Sequence, residues 1–142
     1  MFLEIVTPEK VIFSGEIEEL IVPTVNGEIA ILPHHVNLLT QLEPGEMTIK
    51  HKGKVEHLAV TGGFLQIANN TISLLSDYAV RSDQIDAKKA LEAQQRAEKK
   101  MKEEKEHMTE QEFAVVQADF KRAIAELKVV RRRHRSASIP GS

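Results

Sequence analysis

Every glycine and proline before the last three residues lies at or before Gly63, and residues 64–139 contain neither. Glycine and proline supply the turns of a compact sheet, whereas a long stretch free of both can propagate as helix. Charge divides in nearly the same place. Residues 1–86 carry 5 Lys/Arg against 12 Asp/Glu, residues 87–135 carry 14 against 9, and the whole chain stands at −2. The pattern implies an acidic, turn-rich body joined to a basic, turn-free arm, one part suited to being held and the other to reaching.

A chain of 142 residues has the usual size of one domain, here divided into a body with one modest core and an appendage. It has no Cys and no Trp, which excludes disulfides, thiolate metal sites and cysteine nucleophiles, and fits a reducing compartment. The opening MFLEIVTPEK has early acidic residues and no long apolar run, so it reads as neither a signal peptide nor a membrane span. Asn69-Asn70-Thr71 matches a glycosylation sequon, but without a secretory signal it reads as a turn.

Up to residue 80 the chain offers short β-branched and apolar runs at residues 2–7, 11–13, 17–22, 28–32, 47–51, 55–61, 64–68 and 71–75. Between them stand Asn26-Gly27, Glu43-Pro44-Gly45, Lys52-Gly53 and Asn69-Asn70, too closely spaced to admit helical crossovers. Adjacent strands are therefore expected to be mostly antiparallel. Alternation in Thr48-Ile49-Lys50 and Ile17-Glu18 gives many strands one wet and one dry face, and two such sheets face to face make a small sandwich or flattened barrel.

After Ser82 the sequence is dominated by Ala, Leu, Glu, Lys, Gln and Arg, all good helix formers. A first helix is expected from Asp86 or Asp83, either of which can cap exposed N–H groups. Thr109-Glu110-Gln111-Glu112 reads as a capping box, with the Thr109 oxygen on the Glu112 amide and the Glu112 side chain reaching back to the Thr109 amide. Met108 and Phe113 stand at the positions of a hydrophobic staple, and such a cap contributes about 1 kcal/mol. A second helix starting at Thr109 directly after the first makes an antiparallel hairpin. Phe113, Val116, Phe120, Ala123, Leu127 and Val130 form one stripe, answered by the thinner Ala90, Ala97, Met101 and Met108. A hairpin with small residues on one side is marginal alone, so it needs a second surface, either the body or another protein. That choice can act as a switch.

Chemistry-bearing motifs are sparse: GxxxxGK, GxSxG and HExxH are all absent. His34-His35, His51 and His57 lack the spacing of a metal site and read as surface or hydrogen-bonded histidines. Arg131-Arg132-Arg133-His134-Arg135 has the charge to bind nucleic-acid phosphates, and equally the charge that complements a helix C-terminus. An acidic body and arginines without interleaved aromatics argue against nucleic acid.

Three linked stretches carry a resemblance: FSGEIEELIVPTVNGEIAILPHHVNLLTQLEPGEM at residues 13–47, VTGGFLQIANNTISLLSDYAV at residues 60–80, and Ile85-Asp86 leading into the alanine-rich helix. Through them the chain resembles, over nearly its whole length, the epsilon subunit of bacterial F-type ATP synthase. The resemblance implies an α+β chain: a ten-stranded antiparallel β-sandwich over residues 1–84, a regulatory two-helix hairpin over 85–135, and a flexible tail over 136–142. It implies a non-catalytic rotor subunit of the central stalk, peripheral on the cytoplasmic face of the bacterial plasma membrane, with no transmembrane segment and no nucleic-acid partner. The partners implied are the gamma subunit, the c-ring and the catalytic alpha and beta subunits.

Within the resemblance, the contact with the ring and gamma falls on Glu28 and His35. Ala30 and His34 stand where the family usually has glycine, and Asn37 where it has proline, which matters most where φ is positive. The family's hairpin inhibits ATP hydrolysis when extended, its basic second helix meeting acidic surfaces of beta. Lys121, Arg122, Lys128, Arg131, Arg132, Arg133 and Arg135 are the candidates for that contact. Some members bind one regulatory ATP at the folded hairpin. Ile85, Asp86, Ala90, Arg96 and Arg122 match that site, while Lys89 replaces an arginine, Val80 a glutamate, and Glu126 a second phosphate-facing arginine. Lysine lacks the bidentate fork and Glu126 repels phosphate, so ATP binding is expected to be weak or absent and no cofactor is required. A reading from another class is a β-sandwich adaptor that dimerises through its arm, with or without nucleic acid.

Overall fold

The chain is described here from a computed structural model, in backbone for residues 1–138 and in side chains up to Arg131. Ten strands precede two helices. They are β1 (Phe2–Val6), β2 (Val11–Glu16), β3 (Glu19–Thr24), β4 (Gly27–Ile31), β5 (Leu38–Leu42), β6 (Gly45–His51), β7 (Lys54–Val60), β8 (Gly63–Ala68), β9 (Thr71–Ser76) and β10 (Ala79–Arg81). Hydrogen bonding follows the order β10-β7-β6-β3-β5-β8-β9-β1-β2, with β4 on the other edge of β3. The β3–β5 link rests on the single pair Thr24–Leu42, so the strands fold into two layers at that seam, as a sandwich.

Alternation fills the space between the layers. Leu3 and Ile5, Leu20 and Val22, Met47 and Ile49, Leu58 and Val60, Leu65 and Ile67, and Ile72 and Leu74 are all buried in one cluster contributed by both layers. Every pair is spaced by two, the period that sends side chains to one face of a strand. Pairing is antiparallel with one exception: β1 runs parallel to β9, Leu3 against Ile72 and Ile5 against Leu74. No turn joins these two strands, so no turn dictates their direction.

Two strands were not among the apolar runs read from the sequence, β5 and β10. β5 has Leu38 and Leu39 side by side rather than alternating with polar residues, and β10 has only three residues. Each takes its form from its partner, β5 from β8 and β10 from β7. The Asn69-Asn70 pair forms a turn, both residues at positive φ, 52° and 60°. This is the twist-compatible hairpin turn that Asn tolerates.

The departures from family glycine and proline in the β4–β5 loop receive individual solutions. Ala30 lies in regular strand opposite Ile21, where no glycine is needed. His34 adopts φ 66°, and its amide donates to Asn70 Oδ1 at 2.8 Å. The Asn37 Oδ1 accepts from the Asn69 amide at 3.3 Å, so side chains tie this loop to the neighbouring turn.

The arm begins with a 3-10 turn, Ser82–Gln84, and α1 (Ala87–Glu103). Of the two candidate caps, Asp86 serves α1, accepting from the Lys88 and Lys89 amides at 3.0 and 3.2 Å. α2 (Glu110–Ser138) opens with the Glu112 amide donating to Thr109 Oγ1 at 3.1 Å, the forward half of the expected box. The return bond from the Glu112 side chain is not among the hydrogen bonds of the described residues. Between the helices the chain passes through another 3-10 turn, Lys105–His107, instead of switching directly from one helix to the next. The tighter turn lets the chain leave α1 and reverse within a few residues. α2 runs past residue 135, the expected end of the hairpin, and residues 139–142 of the expected tail lie outside the described residues.

Gly63 opens β8 at φ 149°, and a Cβ placed there overlaps the Leu75 carbonyl oxygen across the β8–β9 pair. Gly63→Ala is accordingly expected to destabilise the body by about 2 kcal/mol or more, measured as a lower urea midpoint.

Candidate functional site

α2 is buried on two sides where it crosses the body. Ala123 and Leu127, on the expected stripe, are buried, and Ala123 lines the cleft shared with α1. Ala125 and Val129, which lie off that stripe, pack with Ala59 of β7 and Ile85, with Val80 and Val130 at the margin. Ala59 and Ala125 are both fully buried, so the helix lies close on the sheet over β6 and β7. The second apolar face shows in the sequence only as an unusually wide apolar run over residues 123–130, more than one stripe requires.

Polar contacts frame this seat. The Tyr78 hydroxyl, in the link between β9 and β10, donates to Glu126 Oε1 at 2.5 Å. The Arg122 guanidinium lies over the Tyr78 ring, 4.9 Å from its centroid, within cation–π range. Burial pushes the Tyr78 hydroxyl pKa well above the usual tyrosine range, helped by the hydrogen bond and charge of Glu126, with Arg122 pulling the other way. Further along α2, the Lys128 ammonium donates to the Pro44 carbonyl at 3.2 Å.

A cleft of about 760 Å³ opens between the two helices and the segment 84–86 that leads into α1. Its lining includes all six residues carried over for nucleotide: Ile85, Asp86, Lys89, Ala90, Arg96 and Arg122. Glu126 lines it too, together with Glu92, Lys100 and Asp119. Four cationic side chains thus face four carboxylates, and at least three of these groups are already engaged, Asp86 as a helix cap and Arg122 and Glu126 on Tyr78. The volume suits a nucleotide-sized molecule, while the charge balance offers a polyanion little net attraction.

The remaining candidates fall elsewhere. Glu28, on β4, shares a smaller pocket of about 300 Å³ with Pro44, Glu46, Lys128 and Arg131. His35 lies in the exposed β4–β5 loop, its Nδ1 2.8 Å from the Val36 carbonyl, outside that pocket. Lys121 is exposed on α2 and lines none of these pockets. The side chains of Arg132, Arg133 and Arg135 lie outside the described residues. Among the histidines, His51 pairs with Glu56 at 2.6 Å and His57 with Glu46 at 3.0 Å. No group of three or more metal-ligating side chains occurs among the described residues.

These features define a class: a small β-sandwich whose C-terminal helical pair is seated on its surface, outside the core. The beta-sandwich domain of the ATP synthase Delta/Epsilon chain matches residues 1–82, and the long alpha-helix domain of the same family matches residues 83–131. The ATP synthase epsilon chain of Desulforamulus reducens is 48% identical over 96 residues, 68% of this chain and 73% of that protein. That of Dehalococcoides mccartyi is 36% identical over 137 residues, 96% of each. In fold, the chain is similar to one from the Euglena gracilis mitochondrial ATP synthase in rotational state 1, with TM-score 0.70, 20% identity, and coverage of 93% of this chain and 79% of that one. The chain belongs to the ATP synthase delta/epsilon family, as an epsilon chain.

Tyr78 is the sole tyrosine and there is no Trp, so phenolate absorbance reads this contact directly. The folded state prefers the neutral phenol. Its stabilisation is complete below the ordinary tyrosine pKa of about 10 and is lost as pH rises through the higher folded value. In an absorbance titration Tyr78 is expected to ionise well above the ordinary range.

Proposed function

We propose that the chain is a non-catalytic rotor subunit of the central stalk of a proton-translocating ATP synthase. Its body, residues 1–84, grips gamma and rests on the c-ring, while its hairpin, residues 85–135, moves between a docked state and an extended state that blocks ATP hydrolysis. The observation that carries this reading is the docked arm of a chain whose family match runs from residue 1 to 131: the helical pair touches the body over a small seat of Ala59, Ile85, Ala125 and Val129, with Val80 and Val130 at its margin. A seat so poor in large apolar side chains is suited to being left. The location follows from the partners: peripheral, on the cytoplasmic face of the plasma membrane. No described helix is long and apolar enough to cross a membrane.

The exposed face of the β5-β8-β9-β1-β2 layer supports attachment to a partner. Phe64, Leu75, Val6 and Val11 form one cross-strand row, and Phe64, Leu75 and Val11 are more than half exposed. A connected apolar row of this kind favours a protein partner, assigned here to gamma. Glu28 and His35 are assigned to the ring contact. The alternative adaptor that dimerises through its arm has less support, because the second apolar face of α2, at Ala125 and Val129, is already covered by its own body.

In the docked state several inhibitory candidates contact the body while staying exposed: Arg122 on Tyr78, Lys128 on Pro44, and Arg131 in one pocket with Glu28 and Glu46. Docking therefore engages cations that the extended arm would offer to beta. Truncation after Ser82 is expected to raise ATP hydrolysis by the assembled enzyme, and unchanged hydrolysis would defeat the inhibitory role. The charge-balanced cleft supports weak or absent regulatory ATP binding. Isothermal titration of the full chain with ATP is expected to give no micromolar binding, and a micromolar Kd would overturn that assignment.

A further inference from the structure

We infer that Tyr78 is a built-in latch, clamping the arm to the body through Glu126 and Arg122, so that the docked state needs no ligand in the cleft. The inference rests on the reading of the hairpin as a moving arm. It arises from one residue of the body engaging two residues of α2 one turn apart, Glu126 by its hydroxyl and Arg122 by its ring face. The tyrosine itself stands on a fixed base. Ser76 Oγ donates to the Tyr78 carbonyl at 2.8 Å and accepts from the Tyr78 amide at 3.4 Å, and the Thr61 amide donates to the same carbonyl at 3.1 Å. Ser76 and Thr61 are both buried, so the backbone that carries the ring is held in place independently of the arm.

Magnitudes favour the latch as the deciding contact. The apolar seat is small: across it the body sets Ala59 and the edge of Val80 against Ala125, Val129 and the edge of Val130, with Ile85 of the connecting segment the one larger buried side chain. A hydrogen bond to a carboxylate is roughly twice as strong as one between neutral groups, and here it forms at a half-buried ring. On release, Glu126 regains solvent, and it is spaced i,i+4 from the already exposed Arg122 on its own helix, a pairing worth little on an exposed surface. The released arm therefore recovers only part of what the latch supplies. Glu126 also lines the interhelical cleft, so the latch places a carboxylate in the cleft wall.

The chain has no cysteine, so cysteines introduced at exposed Val55 on β7 and exposed Val115 on α2 give a clean label pair. Distance distributions of the full-length chain in ligand-free buffer are expected to show it mainly docked. Tyr78→Phe, which keeps the ring under Arg122, and Glu126→Ala are each expected to raise the released-to-docked ratio about tenfold. The double variant should shift it no further than the larger single one, the signature of a direct contact. Val129→Asp, which spoils the apolar seat, is the control that must release the arm. Release by Val129→Asp, with wild-type distributions in Tyr78→Phe and Glu126→Ala, overturns the latch alone. An arm that stays docked in all three variants overturns both the latch and the moving arm, and a ligand-free wild-type chain that is mainly released also overturns the latch. Should Tyr78→Phe fail to fold, Glu126→Ala carries the test from the helix side.

Discussion

The arrangement depends on one seat of small side chains, where Ala59 of the sheet and Ala125 of α2, both without exposed surface, share a buried cluster. Larger side chains at either position would hold the helix axis away from the strands. With alanines there, α2 sinks far enough for Tyr78 to meet Glu126 and for Lys128 to reach the Pro44 carbonyl. Small residues set the distance, and that distance brings the polar groups within reach. The same choice keeps the hydrophobic gain low, because an alanine contact removes little apolar area from water. Proximity without strong adhesion is the physical character of this interface.

Much of the body was legible because turn chemistry and period-two burial agree along it. Asn69-Asn70 and Lys52-Gly53 announce hairpins, and the buried pairs from Leu3 and Ile5 to Ile72 and Leu74 fall at alternate positions. Legibility failed where a strand owes its state to a neighbour. Leu38-Leu39-Thr40-Gln41-Leu42 has adjacent leucines and leaves Leu39 largely exposed, so its own pattern points to no strand, yet its full pairing with β8 makes it one. In the β4–β5 loop, departures from glycine and proline were visible. Their remedy through Asn37 and Asn70 was not, since the partners are 32 and 36 residues away.

At the arm the sequence disclosed charge but not pairing. A surplus of cations on residues 87–135 reads naturally as an outward-facing binding surface, and the structure turns Arg122 and Lys128 back onto the body. The family's nucleotide residues could be placed by motif, and all six line one cleft. What motif could not reveal is Tyr78, whose hydroxyl finds its acceptor 48 residues further on. A single stripe of apolar residues on α2 likewise concealed Ala125 and Val129, because small residues on a second face look like ordinary helix filler until a surface is brought against them.

The parallel pairing of β1 with β9 sets an order of events during synthesis. The first strand emerges long before the strand that flanks it, so the sandwich remains unfinished until Ser76 has left the ribosome. Non-local pairing of this kind is slow to form and leaves strand edges uncovered in the meantime. Nearly all of the arm is made afterwards. Every strand of the seat thus precedes α2 in the chain, so all that α2 can dock on has been synthesised before α2 emerges.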